Sequence, residues 1–231
     1  QVTDPAEIVG AMVGKAEVNS LPADAFEHIA PTRDMIAAIL GGAMRSQAIG
    51  INVLIHGPPG TGKTELARTL AAMADARLVA VGEADEDGEE PTRNERIGAL
   101  RLGQRLFAGD GKSILLFDEF EDMIGDSESA AKGWVGRRTG SKVFVNRMLE
   151  SNPVPVVWTT NTIDNVDPAI LRRMAFVVHL RTPSARAGQA MLARIAAEEG
   201  VSLGGQLAEL VARQPRAATV LRPALRGARV A

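Results

Sequence analysis

The sequence contains no cysteine, which excludes disulfide bonds and metal sites with cysteine ligands. Its three histidines, His28, His56 and His179, lack the spacing of a metal-binding motif, so we interpret each as an ordinary structural residue. The H-E-x-x-H motif of zinc proteases is also missing. The sequence therefore gives no support for a disulfide framework, a zinc site or a zinc protease.

The chain is also poor in net charge and in long apolar runs. A net charge of −2 gives no overall attraction to nucleic acid or to acidic lipid. No apolar run approaches the ~20 residues that span a bilayer, and no signal peptide is visible at the N-terminus. We therefore expect a cytoplasmic protein without a membrane segment. Because the chain starts at Gln1 rather than at methionine, we also expect it to be part of a longer protein.

Apolar, strand-like runs alternate with helical patterns through most of the 231 residues. Five short strands separated by helices predict an α/β fold, a five-stranded parallel sheet with helices on both faces. Ligands of such sheets bind at the carboxyl ends of the strands. The predicted strands are Ile51–Ile55, Arg77–Val81, Ser113–Phe117, Val154–Thr159 and Ala175–Leu180. The predicted helices are Arg33–Arg45, Lys63–Ala74, Thr92–Phe107, Phe120–Ile124, Lys142–Glu150 and a short turn at Pro168–Arg173.

The alternation stops after Pro183, where three helical patterns follow one another without a strand. We therefore predict two units. Residues 1–182 form a helical lead-in and the α/β domain, and residues 183–231 form a small all-α domain. Two loops are predicted inside the first unit. Gly82–Pro91 is acidic and predicted to be solvated, whereas Gly125–Ser141 carries Trp134, which is either a buried anchor or an exposed contact.

The most informative motif is the stretch 57–64, Gly-Pro-Pro-Gly-Thr-Gly-Lys-Thr, which fits the phosphate-binding pattern G-x-x-x-x-G-K-[ST]. It has the required context, because a strand pattern precedes it and a helix pattern follows it. The glycines let backbone N–H groups converge on phosphate, and the helix N-terminus adds partial positive charge. We predict that Lys63 reaches the β- and γ-phosphates and that Thr64 holds Mg²⁺. The other predicted nucleotide contacts are Pro58, Pro59, Gly60, Thr61, Gly62 and Glu65.

Polar residues end two further strands. Asp118 and Glu119 follow the apolar run Ile114–Phe117, where Asp118 suits Mg²⁺ and Glu119 suits the polarisation of an attacking water. Asn161 follows the run Val156–Thr160 and is placed to orient that water. The alternatives are a solvated acidic pair and an ordinary turn-forming asparagine.

Two adjacent arginines, Arg172 and Arg173, lie on the predicted turn that begins at Pro168. Each carries a fixed positive charge, which can neutralise charge that develops on a transferring phosphoryl group. A solvated or salt-bridged arginine pair is the alternative, because surface arginines are ordinary.

The order of these motifs resembles the AAA+ ATPases, and the likeness covers residues 25–231. The stretch Asn146–Pro155 followed by Trp158 is similar to a bacterial branch of the family, in which this module is part of longer proteins. The resemblance implies a phosphate-loop sheet with a helical lid, Mg²⁺ and ATP at subunit interfaces, and ring-shaped homo-oligomers, commonly hexamers.

The resemblance also implies roles for single residues. Asp118 matches the Mg²⁺-linked acid, Glu119 the catalytic base and Asn161 the first sensor. Arg172 and Arg173 match the arginines that act in trans on a neighbouring subunit's ATP, and Arg216 is the candidate second sensor in the lid. One departure argues against polypeptide threading by the family's usual device. The family's threading members carry an aromatic residue after the second strand, and the stretch 83–88 has none.

The leading hypothesis is an ATP-hydrolysing module that drives the rearrangement of a macromolecular partner. A small-molecule phosphotransferase on the same core and a scaffold that binds ATP without turnover are the alternatives. Asn161, the paired arginines and the helical tail argue against the phosphotransferase, and Glu119 argues against the scaffold.

Overall fold

The computed structural model describes residues 13–14, 16–17, 21–82, 91–121, 135–164, 166–182 and a few positions from 193 to 200. Several predictions lie outside these residues. They are most of the all-α unit 183–231, including Arg216, the acidic residues 83–90, and residues 122–134, which include Trp134 and most of the predicted helix Phe120–Ile124. Within the described residues, no helix is long and apolar enough to cross a membrane.

The core of the fold is one six-stranded sheet in the spatial order β1-β3-β4-β5-β2-β6. Strands β2 to β6 pair in parallel, and β1 pairs antiparallel with β3 at the edge. The strands are β1 (Ala16–Glu17), β2 (Asn52–His56), β3 (Arg77–Ala80), β4 (Ser113–Phe117), β5 (Val156–Thr160) and β6 (Phe176–His179). The helices are a 3₁₀-helix (Ala23–Ile29), α1 (Ala30–Ser46), α2 (Lys63–Met73), α3 (Arg93–Leu106), α4 (Val135–Ser151) and α5 (Pro168–Leu171).

The predicted α/β fold with five parallel strands is confirmed, and each strand lies close to its predicted bounds. Strand β1 was not predicted. It contributes only two residues, with Ala16 opposite Val79 and Glu17 opposite Leu78. A strand this short leaves no alternating pattern in the sequence, because the signal needs at least four residues.

The loop predicted for Gly125–Ser141 is wrong over its last part, because α4 already begins at Val135. Gly136 and Gly140 lower the helix propensity there, which is why the sequence indicated a loop. Extending an existing helix costs far less than starting one, since each added residue brings its own hydrogen bond. The second half of α4 is anchored by the buried Val145 and Leu149. That anchored half supports the extension toward Val135.

Alternating side chains place a hydrophobic core on each face of the sheet. On β2, Val53 and Ile55 belong to one core, and Leu54 between them belongs to the other. The first core includes buried residues of α1 and α2, and the second includes residues of α3, α4 and α5. With both faces covered, the motif residues that follow the strands gather where the carboxyl ends of the strands meet.

A buried amide ties α4 to the sheet. Asn52 is fully buried, and its Nδ2 donates to the Leu149 carbonyl at 2.7 Å. Its Oδ1 accepts a hydrogen bond from Trp158 Nε1 at 3.0 Å. Asn52 therefore satisfies one acceptor and one donor that have no access to water.

Replacing Asn52 by alanine should lower the free energy of unfolding by about 2–4 kcal/mol, because it leaves both buried partners unsatisfied. Urea denaturation followed by circular dichroism measures this change. The matched control is Asn94→Ala, which removes an exposed amide from α3 and should change the unfolding free energy by no more than about 0.5 kcal/mol. Equal losses in the two variants would contradict the role given to Asn52.

Candidate functional site

A cavity of about 310 Å³ lies at the carboxyl ends of β2, β4 and β5. Its lining combines the loop after β2, the acids after β4 and the polar end of β5. A larger groove of about 600 Å³ lies at the opposite ends of the strands, around Arg77 and Lys112. None of the predicted site residues lines this groove. The residues that line the smaller cavity are Pro59, Gly60, Gly62, Lys63, Thr64, Asp118, Glu119, Thr159, Thr160 and Asn161.

Glycine is required at several points of the loop that joins β2 to α2. A side chain at Gly57 would place its Cβ 2.1 Å from the Leu180 carbonyl oxygen, so only glycine fits beside the neighbouring strand. Gly60 and Gly62 have φ angles of 74° and 92°, in the left-handed region that favours glycine. Inside the loop, the Thr61 hydroxyl donates to the Pro58 carbonyl at 2.9 Å. The loop is thereby wound tightly above the start of α2.

Lys63 lies at the centre of the site. Its ammonium group donates to the Gly57 carbonyl at 2.9 Å, to the Pro58 carbonyl at 3.2 Å and to Asn161 Oδ1 at 2.8 Å. Burial lowers the pKa of Lys63, and the charges of Asp118, Glu121 and Glu119 oppose that shift. Because Lys63 is the first residue of α2, its charge adds to the helix N-terminus at the same place.

Asp118 and Thr64 form the oxygen-rich side of the cavity. The Thr64 hydroxyl donates to Asp118 Oδ2 at 2.9 Å, and the Thr159 hydroxyl donates to Asp118 Oδ1. One hydroxyl and one carboxylate are hard oxygen ligands of the kind that Mg²⁺ takes beside a phosphate. The donor set therefore fits the predicted metal.

Glu119 has an unusual backbone. Its φ angle is 57°, a left-handed conformation that is rare for a residue with a long side chain. Its N–H lies 3.2 Å from both Asp118 Oδ1 and the Thr159 hydroxyl oxygen. The residue is exposed and lines the cavity.

Sequence reasoning missed three residues of this site. Thr159 was treated only as part of a strand, although its hydroxyl contacts Asp118 and the Glu119 backbone. Glu121 was assigned to a helix, yet its Oε1 accepts the backbone N–H of Asn161 and its buried Oε2 has no hydrogen-bond partner within the described part of the chain. Arg96 donates to the Asp118 carbonyl. Of these three residues, only Glu121 could have been suspected from the sequence, because it lies two residues after Glu119.

Other predicted contacts lie outside the cavity wall. The Glu65 carboxylate is buried, is paired with Arg68 and does not line the cavity. Pro58 and Thr61 shape the loop through their mutual hydrogen bond and do not line the cavity.

The two arginines at the end of α5 differ from each other. Arg173 pairs with Glu150 at 2.7 Å and donates to the Ala169 carbonyl at 2.6 Å. Arg172 is exposed, and its guanidinium has no hydrogen-bond or ion-pair partner among the residues that the structure describes. Neither arginine lines the cavity of its own chain.

The histidines are not arranged as a metal site. His56 and His179, on the neighbouring strands β2 and β6, stack with their ring centroids 4.6 Å apart. Burial and then the proximity of His179 lower the pKa of His56, while Asp164 opposes the shift. Over the described ranges, no group of three or more His, Asp or Glu side chains forms a metal cluster.

A phosphate loop lies between the core strand β2 and helix α2, and the acid-tipped strand β4 is separated from β2 by β5 alone. Together these features define a P-loop nucleotide-binding domain. A family model described as "ATPase family associated with various cellular activities (AAA)" matches residues 53–183. The chain therefore belongs to the AAA family, as its motifs predicted.

Relatives agree with this assignment. The chain is 32% identical over 146 residues to the 26S proteasome regulatory subunit 8 homolog of Schizosaccharomyces pombe. It is 34% identical over 165 residues to the ATPase family gene 2 protein homolog B of Rattus norvegicus. These matches cover 58% and 67% of the chain, which itself spans only 35% and 21% of the two relatives.

Two solved structures share the fold. The AAA domain of FIGL-1 in complex with ADP superposes with a TM-score of 0.65 at 16% identity, over 96% of this chain and 78% of that one. A katanin structure, described by its self-assembly, gives a TM-score of 0.66 at 19% identity, over 98% and 77%.

Proposed function

We propose that this chain is an ATP-hydrolysing module that couples the turnover of Mg-ATP to the rearrangement of a macromolecular partner. One observation carries the proposal. Lys63, Thr64, Asp118, Glu119 and Asn161 come from three separate stretches of sequence and line one cavity. Phosphoanhydride hydrolysis needs positive charge for the phosphates, oxygen ligands for a metal and a carboxylate for the attacking water. These residues, together with the N-terminus of α2, supply all three.

Each residue has a distinct task in this proposal. Lys63 and the first N–H groups of α2 hold the β- and γ-phosphates. Asn161, which already contacts Lys63, directs its amide at the γ-phosphate and orients the attacking water. Glu119 accepts the proton of that water as it attacks. Thr64 and Asp118 would hold Mg²⁺, which when bound neutralises part of the negative charge on the phosphates.

The proposed partner and assembly rest on the family. One relative is named as a proteasome regulatory subunit, and the katanin neighbour is described by its self-assembly. By analogy, we propose a homo-oligomeric ring in which Arg172 of one subunit serves the cavity of the next. The exposed guanidinium of Arg172, which has no partner among the described residues, supports this role, whereas the ion pair of Arg173 with Glu150 supports a structural one.

Phosphate release from ATP in the presence of Mg²⁺ tests the proposed function. We expect release without any acceptor, and its loss when EDTA removes the metal or when Lys63→Ala weakens nucleotide binding. Binding of a fluorescent ATP analogue to the same samples separates lost binding from lost chemistry. ATP binding without release would instead favour the scaffold, and transfer only to an added acceptor would favour the phosphotransferase.

A further inference from the structure

The peptide group between Asp118 and Glu119 is held at both ends by side chains distant in sequence. Its carbonyl accepts a hydrogen bond from the Arg96 guanidinium. Its N–H lies 3.2 Å from the Thr159 hydroxyl oxygen. Just beyond it, the Phe120 N–H donates to the Thr159 carbonyl at 2.8 Å. The backbone on both sides of Glu119 is therefore fixed to α3 and β5.

These contacts act on a residue whose conformation is unfavourable by itself. Glu119 has a φ angle of 57°, and residues with a Cβ rarely take this conformation unless the surroundings enforce it. The direction of the Glu119 side chain depends on this backbone geometry. Loss of a contact that fixes the peptide would let Glu119 relax toward an ordinary conformation and would move its carboxylate.

Arg96 is itself firmly placed. Its guanidinium lies over the Phe117 ring, 4.4 Å from the centroid. Its backbone abuts Gly82 so closely that a Cβ at Gly82 would come within 2.9 Å of Arg96 Cα. A capping box between Thr92 and Glu95 secures the first turn of α3, on which Arg96 lies.

We propose that Arg96 is a positioning residue that holds Glu119 in its left-handed conformation, with the carboxylate directed into the cavity. This inference rests on the proposed function, in which Glu119 accepts the proton of the attacking water. A guanidinium suits the task because it lies over the Phe117 ring while one of its N–H groups donates to the Asp118 carbonyl. A lysine ammonium keeps the charge but cannot reproduce both contacts.

The test compares Arg96→Ala and Arg96→Lys with the control Arg101→Ala. Arg101 lies on the same helix with its guanidinium over another aromatic ring, 5.8 Å from the Phe144 centroid, outside the cavity. We expect kcat for phosphate release to fall about 10–100-fold in Arg96→Ala, as for a misplaced catalytic group. The fall should be smaller in Arg96→Lys, and Arg101→Ala should keep the wild-type kcat.

Two further measurements separate positioning from folding. The affinity for a fluorescent ADP analogue should stay within about threefold of wild type in Arg96→Ala, because that site does not use the Glu119 carboxylate. In a Glu119→Gln background, Arg96→Ala should cause no further loss of single-turnover hydrolysis. A wild-type kcat in Arg96→Ala would overturn the inference. So would a loss in the Glu119→Gln background as large as the loss in the wild-type background, or a loss of ADP binding as large as the loss of kcat. If the unsubstituted chain shows no turnover, the proposed function fails and this inference fails with it. If the unsubstituted chain turns over ATP and Arg96→Ala keeps the wild-type kcat, only this inference fails.

Discussion

Glu119→Gln should bind ATP as the wild type does and release phosphate about 10²–10⁴-fold more slowly, the range that a general base contributes. Glutamine keeps the size of the side chain but cannot accept a proton from the attacking water. Lys63, Thr64 and Asp118 remain in place, so the contacts proposed for the phosphates and for Mg²⁺ should not change. Steady-state phosphate release and the affinity for a fluorescent ATP analogue measure the two halves of this expectation.

The matched control for this variant is Asp75→Asn. Asp75 is also an exposed carboxylate on a left-handed backbone, with a φ angle of 53°, and it lies beside the larger groove at the other end of the strands. It should keep wild-type turnover. A second comparison, Glu121→Gln, addresses the other acid of the site. If turnover survived in Glu119→Gln and vanished in Glu121→Gln, the base would be Glu121 and the assignment made from the sequence would be wrong.

The sequence could predict which residues of this site come together when they directly follow a motif or a strand. Lys63 and Thr64 lie in a contiguous motif, and Asp118, Glu119 and Asn161 directly follow apolar strands. Parallel strands bring their carboxyl ends to one edge, so a correct strand prediction was enough to bring these residues together. The same reasoning predicted the five-stranded α/β fold, because both faces of the sheet are buried and each strand is a short apolar run.

Residues that act by reaching across the fold could not be found in this way. Arg96 lies on α3 and contacts a carbonyl 22 residues further along the chain, through a geometry set by helix packing. Thr159 looks like any strand residue until the register of β4 and β5 places it beside Asp118. The sequence pattern records which face a residue occupies, but not which polar group it meets there.

The structure also distinguishes two arginines that are neighbours in the sequence. Arg172 and Arg173 are adjacent and chemically identical, and both matched the trans-acting position. Their surroundings differ, because Arg173 is held by Glu150 and the Ala169 carbonyl whereas Arg172 is exposed. A guanidinium that serves another subunit must be free to leave its own surface, and one already bound in its own chain loses those contacts when it moves.

Arg172→Ala is therefore expected to remove most of the turnover, by about 10³-fold or more as for other trans-acting arginines, and to leave nucleotide binding to the isolated chain intact. Mixing it with Lys63→Ala should restore activity above either variant alone. In a mixed ring, a cavity with Lys63 can face a neighbour with Arg172, and random 1:1 mixing makes about a quarter of the interfaces complete. Phosphate release across a series of mixing ratios, at concentrations where light scattering shows assembly, measures this recovery.

The matched mixture uses Arg173→Ala, whose own loss should be much smaller because its ion pair with Glu150 is structural. Assembled mixtures that never exceed the separate variants would mean that Arg172 acts within its own chain, and the cavity would then have to be completed by residues of a single subunit.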